Sequence, residues 1–201
     1  MALIRCMEKK MFNIDIYDNL NFIGNNKFAK LPYKLNADYE ITVDYTLPNY
    51  IDNRPIIGTD SDAHYLHLST FSNKYYDSEG TNESNFTPNT LTGRHIYIVN
   101  KNNKCYFDDE EVHDYTPTTD NSIDLRVGSR GDLDRFGYFF NGTIHEYKIK
   151  SITTGLLIAD YKPALLSFNQ TKYDFIPSYS GLYDEINDNF IYCGDTVTNN
   201  H

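Results

Sequence analysis

The sequence predicts an all-β protein built as one two-sheet antiparallel jelly-roll sandwich. Three observations carry that reading. Apolar and polar residues alternate with a period of two in segment after segment, the spacing of strands with one face buried. Turn-forming clusters separate these segments at short intervals, and no segment keeps a helical period. Aromatics supply 15% of the 201 residues, as 18 Tyr and 12 Phe with no Trp, and such side chains suit a pleated, half-buried surface.

The elements follow in chain order. Residues 1–19 are dense in apolar side chains, among them Leu3, Ile4, Met11, Phe12, Ile14 and Ile16. Such density in a tail requires a partner surface, so the segment reads as an extra strand or as an arm that attaches to another subunit. Residues 20–194 carry the sandwich and residues 195–201 form a tail. YEITVDYTL sets Ile41, Val43, Tyr45 and Leu47 against Glu40, Thr42, Asp44 and Thr46. AHYLHLSTF opposes Leu66 and Leu68 to Tyr65 and His67, and RHIYIVN opposes Ile96 and Ile98 to His95, Tyr97 and Val99. KNN is a tight polar turn into KCYFDDEEV. IDLRVGS places Leu125 and Val127 opposite Arg126, with GTIHEYKIK and LLIADYKP completing the series. Turn signals fill 48–55, 78–89, 116–122 and 129–137. The core is therefore expected around Ile41, Val43, Leu66, Leu68, Ile96, Ile98, Leu125, Val127, Ile144 and Ile149. Gly142, after Asn141, is expected to turn the chain through a positive φ, and Gly128 to end a strand or allow close backbone approach.

Composition limits the partners. Net charge is −10 and the sequence pI about 4.9, the opposite of the cationic surface that neutralises phosphates or docks on an anionic membrane. No nucleic-acid and no membrane partner is expected. Cys6, Cys105 and Cys193 lack the close spacing of zinc or redox motifs. The N-terminal segment has no apolar run of signal-peptide or membrane-span length, so the chain is expected to stay in the cytoplasm of the cell that makes it or to leave by lysis or assembly.

Several of these runs resemble a known family. Ile57-Gly58 at a strand end, an acidic turn, HYLHLS, then RHIYIVNKNNKCYFDDEEV, LRVGS and FFNGTIHEYKIK follow one another. Together they resemble the laminin-G-like branch of the concanavalin A-like lectin and glucanase superfamily. Lys150 departs from the aromatic that closes the family's F-x-G-x-I run. GLYDEINDNFIY resembles a closing segment of such domains in phage virions and gut bacteria. The resemblance implies a concanavalin A-like jelly roll over roughly Phe22 to Tyr192 that binds rather than catalyses. It implies a place on a phage virion, with a bacterial cell surface as the alternative. Other virion subunits, reached through residues 1–19, are implied partners, and a purely structural virion role without a sugar ligand stays open.

The residues themselves argue against an enzyme. Retaining glucanases of this superfamily carry E-x-D-x-E along one strand, where a period of two aligns the acids. Glu40 and Asp44 share a face here, but Thr42 stands between them. Asp108, Asp109, Glu110 and Glu111 are consecutive and read as a solvated hairpin tip. For binding, the outward face of the strands offers Tyr65, His67, His95, Tyr97, Tyr106 and Arg126, with Tyr75 and Tyr76 as a second aromatic site. Aromatic faces stack on sugar C–H surfaces while a few fixed polar groups orient the ring, so a glycan or cell-surface polysaccharide is the expected ligand. The other reading is ordinary cross-strand packing on an exposed sheet. By resemblance, a calcium ion is implied at the rim, held by Asp60 and Asp62 with Asp120 or Asn121. Loop carboxylates suit that ion, and an ordinary acidic turn is the alternative.

Overall fold

A computed structural model of the protein describes residues 12–18, 20–22, 28–51, 54–61, 66, 68–71, 74–79, 82–129, 139–168 and 178–196. Among them no helix occurs, and strands β1–β16 form two antiparallel sheets packed face to face. The first sheet runs β11 (Glu110–Asp114), β10 (Lys104–Phe107), β9 (Gly93–Val99), β4 (Tyr39–Leu47), β13 (Gly142–Ser151), β14 (Leu157–Phe168), β15 (Ser178–Asp184), β16 (Asn189–Thr196). The second runs β3 (Ala29–Leu35), β12 (Asp120–Val127), β5 (Arg54–Thr59), β6 (Leu68–Phe71), β7 (Lys74–Glu79), β8 (Asn82–Phe86). The all-β sandwich read from the alternation is the fold of the chain.

Two short strands complete the first sheet. β13 and β14 pair along Tyr147–Lys150 and Leu157–Tyr161, then diverge. Into that fork goes the N-terminal segment: β1 (Phe12–Ile16) pairs with the far half of β14, and β2 (Leu20–Phe22) with the near end of β13. Residues 12–16 are thus an extra strand inside their own domain, and Tyr17 donates its N–H to the Pro163 carbonyl at 2.8 Å. Residues 1–11 and 19 lie outside the described set.

The core sits between the sheets and is aromatic. Tyr45 of β4 meets Tyr75 of β7 edge-on at 6.5 Å, and Tyr161 of β14 meets Tyr33 of β3 at 6.4 Å. Eight of the ten expected core residues are buried; Ile96 is 42% exposed and Ile98 is half-buried. β9 therefore has the reverse of the expected phase. Its register pairs Val99 with Ile41, Tyr97 with Val43 and His95 with Tyr45. Directly paired residues share a sheet face, so the phase of β4 turns His95, Tyr97 and Val99 inward.

Irregularities in the ladders also follow from particular residues. A bulge between Ile144 and Glu146 shifts β13 by one, which is how Ile144, Tyr147 and Ile149 all reach the core. The KNN turn holds Asn102 and Asn103 at φ 57° and 58°, and Asp108 and Asp109 form a two-residue hairpin at 49° and 68°. Gly128 ends its strand at φ 82°. Gly142 does not turn the chain: it lies within β13, and a Cβ there would stand 2.4 Å from the Thr46 carbonyl and from the Phe140 ring. β8 occupies part of the span expected to be a 78–89 loop. Cys105 and Cys193 are buried and unpaired.

Candidate functional site

The outward face of the first sheet carries a charged, hydrogen-bonded surface whose concave part lies at the fork. Alternation puts Asp44 and Thr46 of β4, Arg94 of β9, Glu146 and Lys148 of β13 and Lys162 of β14 on neighbouring strands. Register aligns Glu146 with Asp44 and Arg94 with Thr46. Arg94 donates through Nε to Asp44 Oδ1 at 2.9 Å and through Nη2 to Oδ2 at 2.7 Å. Such a fork fixes both side chains in one plane. Glu146 is shared between Lys148, at 2.5 Å, and Lys162. His145 is held from both sides: its Nδ1 donates to the Asp18 carbonyl at 2.8 Å, and its Nε2 shares a hydrogen bond of 2.8 Å with Thr46 Oγ1.

The N-terminal segment supplies the other wall. Ile16, the last residue of β1, and Tyr17 and Asp18 after it, with Glu185 from the β15–β16 turn, line a groove of about 510 Å³ over Asp44, Arg94, His145, Glu146 and Lys162. That volume falls in the range of ligand sites. Ile16 and Tyr17 are 48% and 50% exposed, so an aromatic ring and an aliphatic chain are offered to solvent beside fixed polar groups. The charge around the groove is unequal. Asp44 and Glu146 have cationic partners, while Asp18 and Glu185 add two further carboxylates on exposed residues. The Asp44 carboxylate, with Asp18 behind it, holds the Arg94 guanidinium above its ordinary range. Burial pushes the nearby Asp160 carboxyl up, and Glu185 and Asp184 add to the rise.

Of the residues expected to bind ligand, His95, Tyr97 and Tyr75 lie between the sheets, at 2%, 1% and 0% exposure. His95 and Tyr97 were expected on an outward face and Tyr75 at a second aromatic site; the phase of β9 and the pairing of Tyr75 with the rings of Phe86 and Phe107, at 5.6 and 5.0 Å, put them in the core. His95 Nδ1 is 2.8 Å from Asp108 Oδ2 across the hairpin. Arg126 is half-buried on the outer face of the second sheet, with its guanidinium 5.0 Å from the Phe28 ring. Tyr106 is half-buried with Lys101 over its ring at 5.1 Å. Tyr65 and His67 lie outside the described residues, as does the side chain of Tyr76, whose backbone pairs within β7.

The rim expected to take calcium has a different arrangement. Asp60 Oδ1 accepts the Asp124 N–H at 2.8 Å, and Lys30 Nζ lies 2.5 Å from Asp124 Oδ2 and 3.4 Å from Asp60 Oδ2. Lys34 pairs with the other Asp124 oxygen. Asp120 Oδ1 accepts from the Ser122 backbone and hydroxyl, at 2.8 and 2.6 Å, and Asn121 is exposed. Asp60 is thus engaged by Lys30 and the Asp124 backbone, and Asp120 by Ser122. No group of three or more His, Cys, Asp or Glu among the described residues is arranged for a metal. Asp62 lies outside the described residues.

The groove residues other than Asp44 were missed by the sequence reading. Arg94, His145, Glu146 and Lys162 gave a signal only as outward positions of β9, β13 and β14, and Tyr17, Asp18 and Glu185 only as residues beside strand ends; what joins them is pairing between positions far apart in the chain. No family model, no curated protein and no solved structure matches the chain.

Proposed function

We propose that the protein is a non-catalytic recognition module that binds a glycan in the groove at the β13–β14 fork. One observation carries this reading. The groove is open and polar, with side chains already fixed by one another and one exposed aromatic ring at its wall. A sugar presents hydroxyls to fixed acceptors and donors and a C–H face to an aromatic ring. Arg94–Asp44, His145–Thr46 and Glu146–Lys162 are held before any ligand arrives, which lowers the ordering cost of binding. Tyr17 supplies the stacking surface.

The carboxylates read as fixed acceptors rather than as a catalytic pair. Asp44 and Glu146 face each other across two strands, an arrangement a search along one strand does not see, but each is engaged by a cation. The resemblance of its runs to laminin-G-like domains supports the same reading, and that of GLYDEINDNFIY to a closing segment in phage virions supports a role on a phage particle. Residues 12–18 are used inside the domain, so attachment to other subunits through that stretch is not favoured.

The test is binding to a broad glycan panel followed by titration of the best ligand. Tyr17→Ala and Arg94→Ala should each weaken binding about tenfold or more. The Tyr17→Ala melting curve should stay near the parent's, since exposed substitutions away from ion pairs cost under about 0.5 kcal/mol, while Arg94→Ala also releases the Asp44 carboxylate and is compared at a temperature where both proteins are folded. A panel with no bound glycan, or variants that bind as well as the parent, would overturn the proposal.

A further inference from the structure

We infer that the groove selects glycans carrying free amino groups, such as oligomers of a non-acetylated hexosamine, over neutral or uronic-acid counterparts. The inference rests on the glycan-binding reading and adds a chemical class to it. Four carboxylates line the groove, from Asp18, Asp44, Glu146 and Glu185, against the two cations Arg94 and Lys162. Arg94 is spent in its fork with Asp44, and Lys162 on Glu146 and, at 3.4 Å, Asp160.

The two carboxylates left over are well placed to matter. Asp18 and Glu185 come from separate elements, the end of the N-terminal wedge and the β15–β16 turn, and neither is salt-bridged to a described residue. They share the groove with Tyr17. A sugar stacked on that ring can therefore carry an ammonium toward a carboxylate. Glu185 also acts on the neighbouring Asp160 carboxyl, which burial raises most, Lys148 lowers, and Glu185 and Asp184 raise. An ammonium gains a charge-assisted hydrogen bond to such a group. An N-acetyl group loses that charge, and a uronate meets repulsion.

The experiment uses the full chain and three matched ligands of one length and linkage: the free-amine oligomer, its fully N-acetylated form and a uronic-acid oligomer. Calorimetric titration at low salt should give the amine at least about tenfold tighter binding than the N-acetylated form. That ratio should shrink toward one as salt rises, because screening shortens from about 30 Å at 0.01 M to about 3 Å at 1 M. Asp18→Asn and Glu185→Gln should each reduce the ratio severalfold. Glu111→Gln, the same charge change on the distant β11, should keep it, which separates the local field from the overall −10 charge. Equal or tighter binding of the N-acetylated or uronic form, or a ratio unchanged in Asp18→Asn and Glu185→Gln, would overturn the inference while leaving the glycan reading intact. If no saccharide binds at all, the glycan reading itself falls.

Discussion

At the scale of single residues, charge and space decide what each position does. Burial tends to raise the Asp124 carboxyl, but hydrogen bonds from Lys30 and Lys34 outweigh it and hold the group down at about 2 against an ordinary 3.8. A depressed carboxyl contributes stability above its unfolded pKa and loses it as pH falls through the folded value. The contribution should therefore be present at neutral pH and disappear between about 3.8 and about 2. Urea midpoints measured across that window should fall more steeply for the parent than for Asp124→Asn; parallel curves would show that the pairing adds nothing. Glycines act through space instead. A Cβ on Gly181 would meet the Ile191 carbonyl at 2.1 Å and the Phe190 ring at 2.6 Å. Gly181→Ala should then cost about 1–3 kcal/mol, as overpacking does, read from the shift in denaturation midpoint. A neutral substitution would mean that β16 can move away.

At the scale of elements, the GLYDEINDNFIY hairpin shows how much of a legible motif is spent on holding a turn. Gly181 admits the neighbouring strand, Leu182 is buried, and Asp184 accepts from the backbone N–H of Asp160 and of Ile186, at 3.1 and 3.0 Å. Tyr183 donates to Asp188 at 2.7 Å, and Asp188 takes φ 51° to close the turn. The motif is a set of folding instructions. Removing the buried Asp184 carboxylate with Asp184→Ala strands several donors and should cost at least about 2 kcal/mol, measurable by the same denaturation series. Turns were readable for the same reason, since Asn and Asp tolerate the positive φ at 102–103 and 108–109. β9 was not readable, because HIYIV is apolar on both faces and only its register with β4 selects one. The groove was unreadable too. Asp44, Arg94 and Glu146 meet through ladder pairing, which no local spacing encodes.

At the scale of the whole molecule, the wedge of β1 and β2 into the fork closes the first sheet with residues from the opposite end of the sequence. Phe12 pairs with Phe168 and Ile16 with Ala164. Non-local pairing of this kind is slow because loop-closure entropy must be met first. Pulse-labelled hydrogen exchange during refolding should show the amides of β1 and of residues 164–168 gaining protection after those of the β15–β16 hairpin. Protection of β1 as early as that hairpin would argue against a late-docking wedge. On the ribosome the order has a further effect. β1 is made before its partner strand exists, and at about 5–20 residues per second the partner follows only after roughly eight to thirty seconds. Through that wait Ile14 and Ile16 have no strand beside them, and an unpaired apolar strand is a template for another chain. The yield of soluble protein should therefore follow translation speed and the supply of holdase chaperones more closely than the stability of the finished sandwich.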